Sequence, residues 1–249
     1  MRSMIPLFVC LSIGCSGDGE SKDTTTSDTD TDTTVETETE TETETATDPD
    51  RVAVDFALVD LLTGNPVEDM ELTVDGDSAT TNGDGEATVT VALDADFEIT
   101  GSQENYYDHV WVGYGGQDHS YSTNMLSRAG GTLLASQLGL TIDPSKGVVV
   151  VTVADANGSP IADTAVTLDA SSDLSLVPND AEALGFSAGN VTLANNNAWV
   201  IFVNVDAGDL AVTVDTPDGL PCYFAGGGPA ADWAVSRADS VTNMALTCE

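Results

Sequence analysis

The chain of 249 residues carries 42 acidic and 6 basic side chains, which gives a formal net charge of -36. Phosphate backbones bind clustered Lys and Arg, so we do not expect nucleic acid as a partner. The length allows two domains of ordinary size, each with a buried core.

The amino terminus has the features of an export signal. Arg2 precedes a short apolar run at residues 5–13, which is too short to cross a bilayer as a helix. The run ends in Ser12-Ile13-Gly14-Cys15, which resembles the lipobox of bacterial lipoproteins, and Ser16 follows as in lipoproteins sorted to the outer membrane. That resemblance implies that residues 1–14 are a cleaved signal peptide and that Cys15 receives a diacylglyceryl anchor. An ordinary signal peptide cut elsewhere is the alternative.

Residues 15–50 are predicted to form an acidic tether. After the cysteine they consist almost only of Thr, Asp, Glu, Ser and Gly, with strict alternation of Glu and Thr at residues 36–44. No apolar face repays the ordering entropy and like charges repel, so we expect an extended coil. A flexible chain of this length spans about 30 to 35 Å, which lifts the remaining residues clear of the membrane. Glycans on the Thr side chains, or Ca²⁺ held loosely by the carboxylates, are alternatives to a plain spacer.

A repeated pattern follows the tether. Residues 64–75 align with residues 158–169, with Gly, Pro, Asp, Thr and a final Asp at the same places. Apolar and polar residues alternate beside both turns, as Val52, Val54 and Phe56 do in the first copy, which predicts β-strands. We therefore expect an all-β chain in which one domain occurs twice, at residues 51–119 and 146–249.

The first copy also resembles a known family. Its first strand leads into Asp-Leu-Leu-Thr-Gly-Asn-Pro-Val at residues 60–67, and a later turn has Thr-Thr-Asn-Gly-Asp-Gly-Glu at residues 80–86. Both segments resemble the carboxypeptidase regulatory-like domains of the transthyretin-like group. The resemblance implies two tandem transthyretin-like or Ig-like β-sandwiches. In secreted proteins this fold is commonly a noncatalytic accessory, spacer or binding module.

Residues 120–145 are predicted to link the two sandwiches through a short helix. Apolar residues recur between residues 125 and 138, and Gly139 is placed to end the helix. Gly130 and Gly131 weaken it, because glycine loses more entropy on ordering than alanine does. We expect this helix to pack at the junction and to limit rotation of the sandwiches.

Cys222 and Cys248 are the only cysteines of the predicted mature domains. In an exported protein such a pair indicates a disulfide, which would tie the carboxyl end to the strand near Pro221. The two cysteines do not have the Cys-x-x-Cys spacing of a redox site.

The two histidines of the chain lie in an aromatic stretch. Its residues Tyr107, His109, Trp111 and Tyr114 are candidates for a ligand-binding platform, because exposed rings stack on the apolar faces of ligands. Core packing of Trp111 and Tyr107 is the competing interpretation, since every second side chain of a strand can face a core. The two histidines with a carboxylate could also ligate a transition metal, but the sequence specifies no third ligand.

Carboxylates lie around two turns of the first copy. Asp75, Asp77, Asp84 and Glu86 are weak candidates for a Ca²⁺ site, although their spacing is not that of an EF-hand. The Asn-Gly and Asp-Gly pairs at the same places are typical of hairpin turns, which require a positive φ. We expect no other metal and no cofactor.

The sequence has no pattern typical of an enzyme. It contains no Gly-x-Ser-x-Gly, His-Glu-x-x-His or phosphate-binding glycine loop, so we expect no catalytic residues. We predict an extracytoplasmic, outer-membrane lipoprotein whose sandwiches act as a binding or spacer module, with carbohydrate, an envelope polymer or a surface protein as partner. An accessory subunit that presents a secreted hydrolase and a Ca²⁺-dependent adhesin are the alternatives.

Overall fold

The computed structural model describes residues 50–179, 185–194 and 198–249. The predicted signal peptide, the predicted anchor Cys15 and the tether up to residue 49 lie outside these residues. Within the described ranges, no helix is both long enough and apolar enough to cross a membrane.

The first half of the described chain contains seven strands in two sheets. Its first strand, β1 (Arg51–Asp60), buries every second side chain from Val52 to Leu58, as a strand with one face on a core must. One sheet has β1 at its centre, paired antiparallel with the fourth strand and parallel with the seventh. The remaining strands are β2 (Glu71–Val74), β3 (Asp77–Thr80), β4 (Glu86–Ala92), β5 (Asp96–Ser102), β6 (Asp108–Tyr114) and β7 (His119–Met125).

The second half contains ten strands among the residues that the structure describes. They are β8 (Gly147–Asp155), β9 (Ala165–Leu168), β10 (Leu174–Pro178), β11 (Phe186–Ala188), β12 (Trp199–Val205), β13 (Gly208–Asp215), β14 (Cys222–Phe224), β15 (Gly227–Ala230), β16 (Trp233–Ser236) and β17 (Ser240–Cys248). β8 pairs antiparallel with β12 and parallel with β17, and β13 lies between β9 and β16. The hairpins β10–β11 and β14–β15 have no counterpart in the first half.

One pairing scheme thus occurs in both halves. β4-β1-β7 corresponds to β12-β8-β17, and β2-β5-β6 corresponds to β9-β13-β16. The repeated Gly-x-Pro turn follows the first strand in each case. Pro66 pairs with Val59 in an isolated antiparallel β-bridge, and Pro160 pairs with Ala154 in the same way.

An aspartate begins each of these turns. Asp60 Oδ1 accepts the backbone N–H groups of Leu62 at 3.0 Å and Thr63 at 2.8 Å. Asp155 Oδ1 accepts those of Asn157 and Ser159, both at 2.8 Å. A carboxylate that satisfies the N–H groups of the residues after it stabilises a turn, which explains why both copies have Asp at this place.

Strand β6 joins the two halves. Residues 108–112 pair in parallel with residues 240–244 of β17, so one sheet of 11 strands runs through both halves. Trp111 faces the core of the first half, whereas Val110 and Val112 face the core of the second. β6 is therefore buried on both faces, and one strand serves two cores.

The expected boundaries of the first sandwich, residues 51–119, and of the linker, residues 120–145, need a correction. Residues 119–125 form β7, in which Tyr121 and Met125 are buried while Ser120 and Ser122 are exposed. These two buried residues are its only large apolar ones, which is too weak an alternation to predict a strand. The pairing of β7 with β1 makes it part of the first half.

The described residues contain one helix, α1 (Arg128–Leu138), at the place where the sequence predicts it. Ser127 is its N-cap and Gly139 ends it with a φ of 69°. Gly131 is buried because the ring of Tyr107 packs against it, 2.6 Å from the point at which a Cβ would stand. The glycine that weakens the helix is therefore required for its packing.

Candidate functional site

Two members of the predicted aromatic platform lie in the core. His109 and Trp111 of β6 are fully buried, so neither contacts a ligand at the surface. Trp111 packs edge-on against Phe56 with ring centres 4.9 Å apart, and its Nε1 donates to Thr123 Oγ1 at 3.1 Å. An indole whose N–H is satisfied inside a packed core stabilises the fold.

Tyr107 and Tyr114 are half-buried at opposite ends of β6. The ring of Tyr107 lies against α1, with the guanidinium carbon of Arg128 5.0 Å from its centre. Tyr114 packs against the core of the second half and covers Gly228 of β15, where a Cβ would collide with the tyrosine ring. The four predicted platform residues therefore do not share an exposed face.

His109 is buried at the junction between the halves. Its Nε2 accepts the backbone N–H of Leu126 at 3.2 Å, and its Nδ1 lies 3.1 Å from the side-chain amide nitrogen of Asn243 in β17. Burial lowers the pKa of His109 to about 3, so the ring is neutral at physiological pH. The single lone pair of the neutral ring, on Nε2, accepts the Leu126 N–H, so His109 has none available for a metal ion.

His119 and Tyr121 of β7 pack edge to face, with ring centres 5.3 Å apart. His119 Nδ1 donates to the carbonyl oxygen of Gln117 at 2.9 Å, which leaves the lone pair on Nε2. Neither this Nε2 nor the Tyr121 hydroxyl has a hydrogen-bond partner among the described residues. Burial lowers the pKa of His119 and raises the pKa of Tyr121, so burial favours the neutral form of both side chains.

Two of the four Ca²⁺ candidates lie in the hairpin of β2 and β3. Asp75 and Gly76 form its two-residue turn, with φ values of 37° and 83°. Asp77 accepts the backbone N–H of Thr90 at 2.8 Å and the Thr90 hydroxyl at 2.7 Å. These hydrogen bonds hold the pKa of Asp77 below its ordinary value, and they bind β3 to β4.

The other two Ca²⁺ candidates lie in the turn before β4. Asn82 Oδ1 accepts the backbone N–H groups of Asp84 at 2.9 Å and Glu86 at 3.0 Å, which closes the turn. The ranges described by the structure hold no group of three or more His, Cys, Asp or Glu side chains that could bind a metal ion. The four candidates are thus divided between two turns.

The outward face of the sheet β4-β1-β7 carries a shallow groove of about 500 Å³. Small side chains on β1 and β7 form its floor, and two carboxylates make it acidic. The hydroxyl of Thr88 donates to Asp55 Oδ1 at 2.6 Å. The side chains stand in two rows across the strands, namely Thr88, Asp55 and Ser120, then Glu86, Ala57 and Ser122.

The basic side chains in the described part of the chain all have partners. Arg237 connects the second half to β5, and Arg128 connects α1 to the turn before β17. Carboxylates of the described residues far outnumber these four cations, which leaves the surface acidic. The pairs are Arg51 with Thr90, Arg128 with Asp239 at 2.8 Å, Lys146 with Asp206 at 3.1 Å, and Arg237 with Glu98 at 2.7 Å.

The predicted disulfide is confirmed. Cys222 of β14 and Cys248 of β17 are cross-strand partners, and their sulfur atoms are bonded. β17 is also the strand that pairs with β8 and β6. The bond therefore holds the end of the strand through which the two halves are joined.

No family model and no curated protein matches the chain significantly. Among solved structures, it is similar to GBS52, the minor pilin of Streptococcus agalactiae, at 12% identity over 79% of this chain and 95% of that one, with a TM-score of 0.27. The shaft pilin SpaA of Lactobacillus rhamnosus GG matches at 10% identity over 80% of this chain and 98% of that one, with a TM-score of 0.24. The TIE protein of Bacillus anthracis matches at 9% identity over 80% of this chain, which spans 34% of that protein, with a TM-score of 0.26.

These TM-scores are too low to indicate the function of this chain. The fold follows from the strand pairing of the chain itself. It is an all-β sandwich fold, as the sequence predicts. The resemblances to carboxypeptidase regulatory-like domains and to bacterial lipoproteins remain predictions.

Proposed function

We propose that this chain is a non-catalytic lipoprotein of the cell envelope, in which two β-sandwiches form one rigid spacer and binding module. The observation that carries the proposal is the parallel pairing of β6 with β17. Domains joined only by a linker move relative to each other, whereas a shared sheet with buried side chains on both faces resists such motion. The module would thus hold its surfaces at a fixed distance from its amino-terminal end.

Buried contacts beside the shared strand support this rigidity. His109 meets Asn243 across the pairing of β6 with β17, and Tyr114 packs on Gly228 in the added hairpin. Close-packed contacts of this kind have one arrangement, since a rotation would open voids in both cores. The proposed spacer function therefore depends on these buried contacts more than on surface charge.

The envelope location depends on the amino terminus and on the disulfide. We propose that Cys15 carries the lipid, that residues 16–50 separate the module from the outer membrane, and that the chain acts outside the cytoplasm. The bond between Cys222 and Cys248 supports export, because disulfides persist in oxidising compartments. An acidic surface also keeps the module from adhering to anionic lipid head groups.

Rigidity is tested by the distance between two spin labels, one in each half. Glu71→Cys in β2 and Thr213→Cys in β13 place the labels at exposed positions, in a chain that lacks the signal peptide and carries Cys15→Ala. Cys222 and Cys248 do not react, because they are bonded to each other. Pulsed electron–electron double resonance should give one narrow distribution of the distance between the two labels. A broad distribution would mean that the halves rotate, and the spacer function would be wrong.

Anchoring is tested in cells by metabolic labelling with radioactive palmitate. The wild-type chain should be labelled and should sediment with outer membranes on a density gradient. Cys15→Ala should lose the label and move to the soluble envelope fraction. A Cys15→Ala chain that still sediments with the membranes would contradict the predicted anchor and leave the rigidity result unaffected.

A further inference from the structure

One edge of the first half is open along β7. The carbonyl oxygen of Met125 accepts the N–H of Leu61 at the end of β1, at 2.9 Å. Successive residues of a strand direct their backbone groups to opposite edges, so those of Ser120, Ser122 and Asn124 point away from β1. Within the described residues β7 pairs with β1 alone, and these backbone groups are left for another strand.

The equivalent edge of the second half is occupied. β17 corresponds to β7, with β8 on one side as β1 lies beside β7. On its other side β17 pairs in parallel with β6 over residues 240–244. The second half therefore pairs with an additional strand at this edge, whereas the first half leaves the same edge without a neighbouring strand among the described residues.

The acidic groove lies beside this open edge. Ser120 and Ser122 are exposed on β7, and their short side chains do not screen Asp55 on β1 from a strand added next to β7. Such a strand would run two strand spacings, about 10 Å, from β1, which a long side chain can cross. Glu86 stands one strand further, across Ala57.

The charge of the groove selects the partner. Asp55 and Glu86 have no Lys or Arg of the described residues beside them, because each of those cations has its partner elsewhere, and burial favours the neutral form of the nearby His119. A second copy of this chain, with its net charge of -36, would be repelled. A segment with Lys or Arg at alternate positions would direct those side chains to one face of the sheet, toward the two carboxylates.

We propose that the open edge of β7, together with the acidic groove, binds an extended basic segment of a partner protein as an added β-strand. Backbone hydrogen bonds to Ser120, Ser122 and Asn124 supply affinity, and the carboxylate of Asp55 supplies specificity, while Glu86 on β4 adds to the negative charge of the groove. This inference rests on the proposed function, since it assigns the binding face and the partner class of the module.

The probe is a short synthetic peptide of alternating Thr and Lys, with a peptide of alternating Thr and Glu as the negative control. Binding to the mature chain carrying Cys15→Ser is measured by fluorescence anisotropy of the labelled peptide. The Lys peptide should bind and the Glu peptide should not. Amide hydrogen exchange at Ser120, Ser122 and Asn124 should slow when the Lys peptide is added. If the wild-type chain binds no Lys peptide, or exchange along β7 is unchanged, the proposal is overturned.

Charge specificity is tested with two variants of equal net charge. Asp55→Lys lies in the groove, whereas Glu71→Lys lies at an exposed position of β2 in the other sheet. We expect Asp55→Lys to weaken binding of the Lys peptide by at least about tenfold and Glu71→Lys to leave it near wild type. Equal losses in the two variants would mean attraction by total charge, including the acidic tether, and would overturn the assigned site.

Backbone recognition is tested at Ser122. Ser122→Pro removes the outward N–H, which an edge strand tolerates, and Ser122→Ala removes only the hydroxyl. Binding should be lost in the proline variant and kept in the alanine variant. If an uncharged oligosaccharide binds the groove and the Lys peptide does not, the face belongs to carbohydrate and the peptide proposal is wrong. A narrow spin-label distance without peptide binding would remove this site and keep the spacer function.

Discussion

Arg237, in the turn before β17, binds Glu98 of β5 through two nitrogen–oxygen contacts of 3.1 and 2.7 Å. The pair connects the second half to the first. Its side chains are 46% and 33% exposed, and exposed ion pairs contribute only about 0.2 to 1 kcal/mol. The junction therefore depends mainly on the pairing of β6 with β17 and on the side chains buried beside it.

Removal of this ion pair should have a small effect. Arg237→Gln is expected to lower the free energy of unfolding by less than about 1 kcal/mol and to leave the spin-label distance unchanged. The loss, measured by urea unfolding, should shrink at high salt because screening already weakens the exposed pair. A loss of several kcal/mol, or a broadened distance distribution, would mean that the ion pair holds the halves together.

Gly85 should tolerate no side chain. It has a φ of 77° in the turn before β4, and a Cβ there would collide with the carbonyl oxygen of Leu58. Gly85→Ala is expected to lower the free energy of unfolding by about 1 to 3 kcal/mol. Gly83→Ala is the matched control in the same turn, because the nearest atom to its Cβ position is 4.0 Å away. Equal denaturation midpoints for the two variants would contradict the predicted clash.

His109 should make stability depend on pH. Burial lowers its pKa from 6.5 to about 3 in the folded chain, so the unfolded chain binds the proton more tightly. The free energy of unfolding is therefore unaffected by His109 above pH 6.5. It falls as the pH decreases toward 3, by at most about 1.4 kcal/mol per pH unit, because the unfolded chain takes up the proton. Chemical denaturation across this range should show a steeper loss for the wild type than for His109→Gln.

The protonation state of His109 is also measurable directly. Nitrogen chemical shifts of the imidazole should report a neutral ring in the folded chain at about pH 5. The comparison with His109→Gln cancels the carboxylates that titrate in the same range, since both chains contain them. An imidazolium signal in the folded chain at that pH would contradict the assigned burial.

The disulfide should contribute measurably to stability. Cys222 and Cys248 are 26 positions apart, and a loop of that size corresponds to about 3 to 4 kcal/mol in the chain-entropy model. The double variant Cys222→Ser, Cys248→Ser should lose this amount in urea unfolding, and reduction of the wild type should reproduce the loss. Unchanged midpoints after reduction would mean that the cross-strand pairing of β14 and β17 is sufficient without the bond.

The alternating strands and the repeated turn are predictable from the sequence because they follow local rules. Val52 to Leu58 alternate with a period of two, and Pro66 and Pro160 occupy the same place after each first strand. β7 is not predictable in this way, since its exposed face is polar and only Tyr121 and Met125 mark its buried face. Its pairing with β1 comes from the topology of the whole half.

The junction and the groove are harder to predict for a different reason. The run Val110-Trp111-Val112 indicates a strand buried on both faces, but it does not identify β17 as the neighbour, because parallel pairing between distant segments has no local signal. The groove is formed by residues such as Asp55 and Ser120, which have the composition of any solvated strand face. Only the register across β4, β1 and β7 brings them together.

A strand that serves two cores also limits how this chain can be divided. If the chain ended after α1, Val110 and Val112 would lose the core that covers them, and the backbone groups of β6 that β17 satisfies would face water. An exposed apolar edge of this kind recruits other strands and is a common origin of fibrils. During synthesis, the first half would need protection until residues 240–244 of β17 have been made, so its solubility depends on a strand that is synthesised more than 100 residues later.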